Sequence, residues 1–176
     1  MRFNDYLHPT NDELRQWAYL PNPEFPEEIS QDWELCFNDF DHAPVLLELA
    51  SDANCPTRTF FLSSLYLLVG DCVRNEVGRK RIPDAEAFLA GVTGQLPDDV
   101  ATWLARSRQL LNHPEMFDYK KWCLGGYAYG INFDDDDRIH PTRKFLKASQ
   151  YLILVLFAIG IVAMVLVRWS GPVGKN

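Results

Sequence analysis

The feature that most constrains this chain is an apolar run from Tyr151 to Val167, YLILVLFAIGIVAMVLV, which contains no charged side chain. A helix rises about 1.5 Å per residue, so this run and its apolar flanks cover the hydrocarbon core of a bilayer, about 30 Å thick. A helix buried in a water-soluble protein usually keeps one polar face, and this run has none. The sequence therefore predicts one C-terminal transmembrane helix over residues 145–169.

The charged residues beside this run predict its orientation. Arg143, Lys144 and Lys147 precede the run, whereas Arg168 is the basic residue that directly follows it. Lys and Arg are enriched on the cytoplasmic side of membrane proteins, so we expect a cytoplasmic N-terminal part and a short tail, residues 170–176, across the membrane. This layout is that of a single-pass, tail-anchored protein, and a bacterial inner membrane is the simplest host.

Two kinds of residue are expected to contact the membrane or another span. The amphipathic rings of Trp and Tyr and the long side chains of Lys and Arg are typically found at the surface of a phospholipid bilayer. The predicted interface residues are Arg143, Lys144, Lys147, Tyr151, Arg168 and Trp169. Gly160 is a possible contact point in a homo-oligomer, because glycine lets two helix backbones approach closely. A simple anchor is the favoured interpretation, since the run has no Gly-x-x-x-Gly motif.

The charge of the chain is divided between two regions. Residues 1–137 contain all 24 acidic side chains and 11 basic ones, a net charge of −13, whereas residues 138–176 contain six basic side chains and no acid. We therefore expect an acidic helical domain over residues 1–131 and a charged juxtamembrane linker over residues 132–144. Such an acidic domain repels polyanions, so no nucleic-acid partner is expected.

Helix-start signals recur through the acidic domain. Thr10 and Glu13 have the spacing of a capping box, in which each residue bonds to the backbone of the other. Ser30 is expected to start a short helix that carries Trp33, and Asp41 is expected to cap the next helix.

The longest helix of the domain is expected over residues 56–76. Phe61, Leu65, Leu68 and Cys72 follow helical spacing, and the helix is apolar on most faces, which indicates a central position. Its uncharged stretch ends at Asp71 and is too short for a second span, so burial within the protein is expected.

Three further helices are expected to begin at Pro83, Pro97 and Pro114, and Gly125–Gly126 is interpreted as a helix stop. No strand pattern is convincing, so the predicted class is all-α, a compact helical bundle plus one C-terminal transmembrane helix. The segment LLELASDANCPTRTFFLSSLYLLVGDCVR resembles one helix pair of a HEAT-type repeat. The resemblance implies HEAT-like antiparallel helix pairs.

The chain offers no motif for catalysis, metal binding or cofactor binding. No two of the four cysteines have the C-x-x-C spacing that zinc sites usually use; they are Cys36, Cys55, Cys72 and Cys123. Phosphate-binding loops and the common hydrolase motifs are also missing from the sequence. We therefore expect no catalytic residue, no metal and no cofactor, with an enzyme of dispersed active site as the weakest alternative.

Acidic and aromatic residues alternate near the N-terminus, a composition suited to a basic protein partner, because aromatic side chains are common binding anchors. The predicted partner-binding residues are Trp17, Phe25, Trp33, Glu27 and Glu28. The leading hypothesis is a membrane-anchored adaptor that binds a protein partner. The alternative is a membrane-acting effector, of toxin or defence type, whose spans assemble through Gly160 after the domain senses a signal.

Overall fold

The computed structural model describes residues 3–21, 23–25 and 33–132, and within these ranges the chain is helical without a strand. The α-helices there are α1 (Asn11–Ala18), α2 (Ala43–Ser51), α3 (Arg58–Arg74), α4 (Glu76–Arg79), α5 (Ile82–Gly91), α6 (Asp98–Asn112), α7 (Tyr119–Cys123) and α8 (Gly126–Tyr129). Short 3₁₀-helices lie at Trp33–Phe37 and Pro114–Met116. The predicted all-α class is confirmed for this part of the chain.

The predicted membrane helix, residues 145–169, and the predicted tail, residues 170–176, lie outside the described residues, as does all of the predicted linker except Asn132. Among the helices that the structure does describe, none combines the length and the apolarity needed to cross a bilayer. Residues Met1–Ile131 make up one compact unit.

The capping box at the start of α1 is confirmed. The Thr10 hydroxyl accepts the Glu13 N–H at 3.2 Å, and the Glu13 carboxylate accepts the Thr10 N–H at 2.9 Å. The same carboxylate accepts the Asn4 N–H at 2.8 Å. These bonds from Asn4 and Thr10 hold the pKa of Glu13 below its ordinary value of 4.5. Glu13 therefore ties the segment before α1 to the helix itself.

Helix α3 is the central element, as its apolar pattern predicts. Eleven of its 17 residues are buried. It packs against α2, α4, α5, α6, α7 and α8. A helix covered on so many sides needs apolar residues on most faces, and this explains why its sequence lacks a single apolar stripe.

The predicted ends of α3 are wrong by two residues at each side. At its start, the Thr57 hydroxyl donates to the Ala18 carbonyl oxygen at 3.0 Å, and this bond holds Thr57 at the N-cap outside the helix. At its end, Asn75 is extended, and its side chain accepts the Gly78 N–H at 2.8 Å. Glu76 therefore belongs to α4, which starts a new turn.

Two other predicted helix starts need correction. Asp41 does not cap α2, because the helix begins after His42, whose N–H donates instead to the Asp39 carboxylate at 2.9 Å. Pro114 opens only a 3₁₀-turn, since Phe117 is extended and Asp118 then caps α7 as a separate helix. The starts expected at Pro83 and Pro97 agree with α5 and α6 to within one residue.

Candidate functional site

The aromatic residues predicted to bind a partner lie in different environments. Trp17 is 1% exposed and Trp33 is fully buried, whereas Phe25 is 40% exposed. The Trp17 and Trp33 rings lie 4.8 Å apart, and Phe60 of α3 lies 5.4 Å from Trp17. The two tryptophans therefore join the N-terminal segment to α3 as core residues, and Phe25 alone of the three offers apolar surface.

Hydrogen bonds reinforce this assignment of the tryptophans. The indole N–H of Trp17 donates to the Glu24 carbonyl oxygen, and that of Trp33 donates to the Tyr6 carbonyl oxygen, both at 3.0 Å. A buried indole needs such a partner, and here each partner comes from an irregular segment that the ring holds in place. The other predicted site residues lie outside the described ranges: Glu27, Glu28, Arg143, Lys144, Lys147, Tyr151, Gly160, Arg168 and Trp169.

A recess of about 220 Å³ lies where α7 and α8 meet α3, and we name it the Leu124 recess. Its lining comprises Glu34, Phe60, Ser63, Ser64, Leu67, Cys123, Leu124, Gly125 and Tyr129. Leu67 is 7% exposed, whereas Leu124 and Tyr129 are 48% and 50% exposed. The recess therefore combines a buried apolar wall with two large side chains that remain open to a partner.

Gly125 shapes this recess through its backbone. Its φ of +75° is in the left-handed region that favours glycine, and the turn lets Tyr129 N–H donate to the Gly125 carbonyl oxygen at 2.8 Å. A Cβ at this position would lie 2.6 Å from the Tyr129 ring. The glycine that the sequence marks as a helix stop is thus also the residue that allows Tyr129 to fold over the recess.

A second recess, of about 230 Å³, lies between α6, α7 and α8, and we name it the Arg106 recess. Its lining comprises Arg106, Gln109, Leu110, Met116, Trp122 and Tyr127. The Arg106 guanidinium carbon lies 4.1 Å from the centre of the Tyr127 ring, and its Nη1 donates to the Tyr66 hydroxyl at 3.1 Å. The recess therefore presents a cation beside aromatic walls.

Gly70 of α3 allows the close approach of α7, the helix that contributes residues to both recesses. A Cβ on Gly70 would lie 3.0 Å from Trp122 Cβ and 3.4 Å from Cys123 Sγ. Hence α7 packs directly on the α3 backbone, and its consecutive residues Trp122 and Cys123 line the Arg106 recess and the Leu124 recess respectively.

Cys123, Ser63 and Ser64 bring thiol and hydroxyl groups to the lining of the Leu124 recess. Burial raises the pKa of the Cys123 thiol to about 12, so a thiolate nucleophile is disfavoured there at neutral pH. The Ser64 hydroxyl donates to the Phe60 carbonyl oxygen at 3.1 Å, and neither lining includes a histidine that could serve as its base. Across the described ranges, no three His, Cys, Asp or Glu side chains converge as a metal site.

Comparison of the chain with models of known protein families, with curated proteins and with solved structures gave no match. A functional proposal for this chain therefore depends on the residues that line the two recesses. In the sequence, Gly125–Gly126 beside Tyr127 and Tyr129 is compatible with a recess, but a helix stop was the preferred interpretation, so neither recess was predicted.

Proposed function

We propose that this protein is a membrane-anchored adaptor whose acidic helical domain binds a basic segment of a protein partner at the Leu124 recess. The observation that carries the proposal is the pair of half-exposed apolar side chains, Leu124 and Tyr129, beside the buried wall that includes Leu67. Exposed apolar groups around a concave site typically mark an interaction surface.

The size of the recess limits what enters it. A volume of about 220 Å³ accommodates one large apolar side chain, such as leucine or phenylalanine, rather than a whole peptide. Tyr129 then acts as an aromatic anchor at the rim, where tyrosine is enriched among residues that dominate binding energy. We expect one apolar residue of the partner to insert beside Leu124 and Tyr129, with flanking residues on the domain surface.

The charge of the domain indicates which residues flank the inserted side chain in the partner. The net charge of −13 over residues 1–137 attracts a basic segment and raises its rate of association. Glu34 is also one of the residues that line the recess. Lys or Arg near the inserted apolar residue therefore fits this surface, whereas an acidic segment would be repelled.

The membrane part of the proposal rests on the sequence. The apolar run of residues 145–169, with Arg143, Lys144 and Lys147 before it, supports a C-terminal span with the domain in the cytoplasm. In the finer architecture that we propose, α2 and α3 form the HEAT-like antiparallel pair. The span would then confine the binding surface to the cytoplasmic face of the membrane.

Photo-crosslinking in native membranes tests the adaptor role. A photoreactive amino acid is placed at Leu124 in the full chain, and a matched control is placed at Ala87, an exposed residue of α5 outside the recess. We expect a discrete adduct with another protein from position 124 and none from position 87. Glu34→Lys should weaken the adduct, because it reverses the charge beside the inserted segment. Adducts confined to lipid or to the chain itself would remove the adaptor role.

A further inference from the structure

We infer that the Arg106 recess is a binding site for a small carboxylate that carries an apolar or aromatic group. This site is separate from the Leu124 recess and does not depend on the proposed adaptor role. Three features of its lining carry the inference: an arginine held in position, guanidinium donors without an acceptor among the described residues, and aromatic walls beside them.

Arg106 is held in position by two neighbours. Its guanidinium carbon lies 4.1 Å from the centre of the Tyr127 ring, a cation–π contact, and Nη1 donates to the Tyr66 hydroxyl. Tyr66 is only 1% exposed and its ring lies 5.3 Å from that of Trp122, so the hydroxyl is a fixed acceptor. The guanidinium is therefore oriented before a ligand arrives, which lowers the entropy cost of binding.

The charge of Arg106 has no carboxylate partner within the part of the chain that the structure describes. The ion pairs there use Arg15, Arg58, Arg74 and Lys121 as cations, together with two histidines. Arg106 makes a single hydrogen bond there, although a guanidinium has five N–H donors. In a domain with so many acidic side chains, this arginine is left with donors for an external anion.

The rest of the lining selects the kind of anion. Trp122 is 3% exposed, Leu110 is 1% exposed, and the Trp122 and Tyr127 rings meet edge to face at 5.6 Å. These walls suit the apolar body of a ligand, and about 230 Å³ accommodates a molecule the size of benzoate. A single arginine matches one carboxylate in a two-bond fork, whereas a phosphate dianion would require more positive charge.

Isothermal titration calorimetry on the full chain in mild nonionic detergent tests the site, with benzoate as the probe and benzamide as its neutral match. We expect benzoate to bind with a dissociation constant on the order of 1 mM, a value typical of so small a ligand. Benzamide should bind at least about tenfold more weakly, because a charge-assisted bond to arginine is lost. Arg106→Gln should weaken benzoate about tenfold and abolish this preference.

A second variant tests the site independently, in case Arg106→Gln does not fold. Gln109 is exposed and lines the recess, so Gln109→Glu places a negative charge beside the ligand with little effect on folding. The matched control is Ala105→Glu, which adds the same charge at an exposed position of α6 outside the lining. We expect Gln109→Glu to weaken benzoate several-fold and Ala105→Glu to leave it unchanged. Any of three results would overturn the assignment. Benzoate and benzamide could bind with equal affinity, or Gln109→Glu could leave the affinity for benzoate unchanged. Benzoate could also fail to bind at a concentration about 20 times the expected dissociation constant.

Discussion

Gly78 provides the sharpest test of how α4 packs on α3. A Cβ added at this residue would lie 1.8 Å from the Asp71 carbonyl oxygen and 2.9 Å from its carbonyl carbon. Real Cβ contacts essentially never fall below 3.0 Å, so α4 would have to recede from α3 by roughly 1.2 Å. Both obstructing atoms belong to the backbone of the central helix and cannot rotate away as a side chain would.

The expected cost of Gly78→Ala follows from three contributions. Overpacking against a fixed backbone costs about 3 kcal/mol, the upper part of the usual range. Displacing the Gly78 N–H from the Asn75 side chain, now at 2.8 Å, costs about 1 kcal/mol more. The alanine itself returns about 1 kcal/mol by restricting the unfolded chain. We therefore expect a loss of about 3 kcal/mol, or about 6–12 °C in melting temperature for a chain of this size.

Gly91→Ala is the matched control, and its expected effect has the opposite sign. Gly91 ends α5, and a Cβ there would meet nothing within 4 Å. Alanine should therefore stabilise the protein by about 0.5 kcal/mol through helix propensity and the unfolded state. The assay is thermal unfolding of the full chain in mild detergent, followed by circular dichroism at 222 nm. A Gly78→Ala protein that melts at or above the wild-type temperature would refute the close packing of α4 on α3.

Four further outcomes are expected. Thr10→Ala removes the capping box of α1 and should cost about 1 kcal/mol in the same melting assay; an unchanged melting temperature would contradict the capping geometry. Because bonds from Asn4 and Thr10 lower the pKa of Glu13, the stability that wild type gains over Glu13→Gln should be complete above pH 4.5 and shrink as the pH falls through the lowered value. If the stability difference between wild type and Glu13→Gln instead grew as the pH fell, the lowered pKa of Glu13 would be contradicted. Trp33→Ala removes a fully buried ring and should cost about 3–5 kcal/mol, which a near-normal melting temperature would exclude. Burial raises the pKa of Cys72 to about 11 and that of Cys123 to about 12, so at pH 8 both should react with iodoacetamide far more slowly in the native protein than in urea. Peptide mass spectrometry measures both rates, and equal rates would contradict the burial of these thiols.

Local features of the fold were readable from the sequence because their causes are local. Thr10 and Glu13 form a capping box through bonds that span three residues, and α3 shows its central position in its own apolar composition. The ends of α3 were not readable in this way. The bond from Thr57 to the Ala18 carbonyl oxygen joins residues that are 39 positions apart, and no local pattern reports such a contact.

The candidate site depended even more on distant residues. Trp17 and Trp33 belong to an acidic, aromatic segment that suggested a surface, yet each packs against α3 rather than facing a partner. Arg106 lies in a helix rich in polar residues, where an arginine ordinarily indicates solvent. Its aromatic neighbours, Tyr127 of α8 and Tyr66 of α3, come from helices that are distant in the sequence. The Arg106 recess combines side chains of α6, α7 and α8, so no single helix carries its full pattern.

Membrane extraction of the full chain tests the central claim that an acidic helical domain is anchored by residues 145–169. Native membranes are washed in alkaline carbonate and sedimented, and the chain is located with an antibody in pellet and supernatant. We predict the wild-type chain in the pellet. A variant with Leu156→Arg and Ile159→Arg should move to the supernatant, because each arginine at mid-bilayer opposes insertion by about 3 kcal/mol. A wild-type chain recovered in the supernatant would contradict the anchor and the adaptor role built on it.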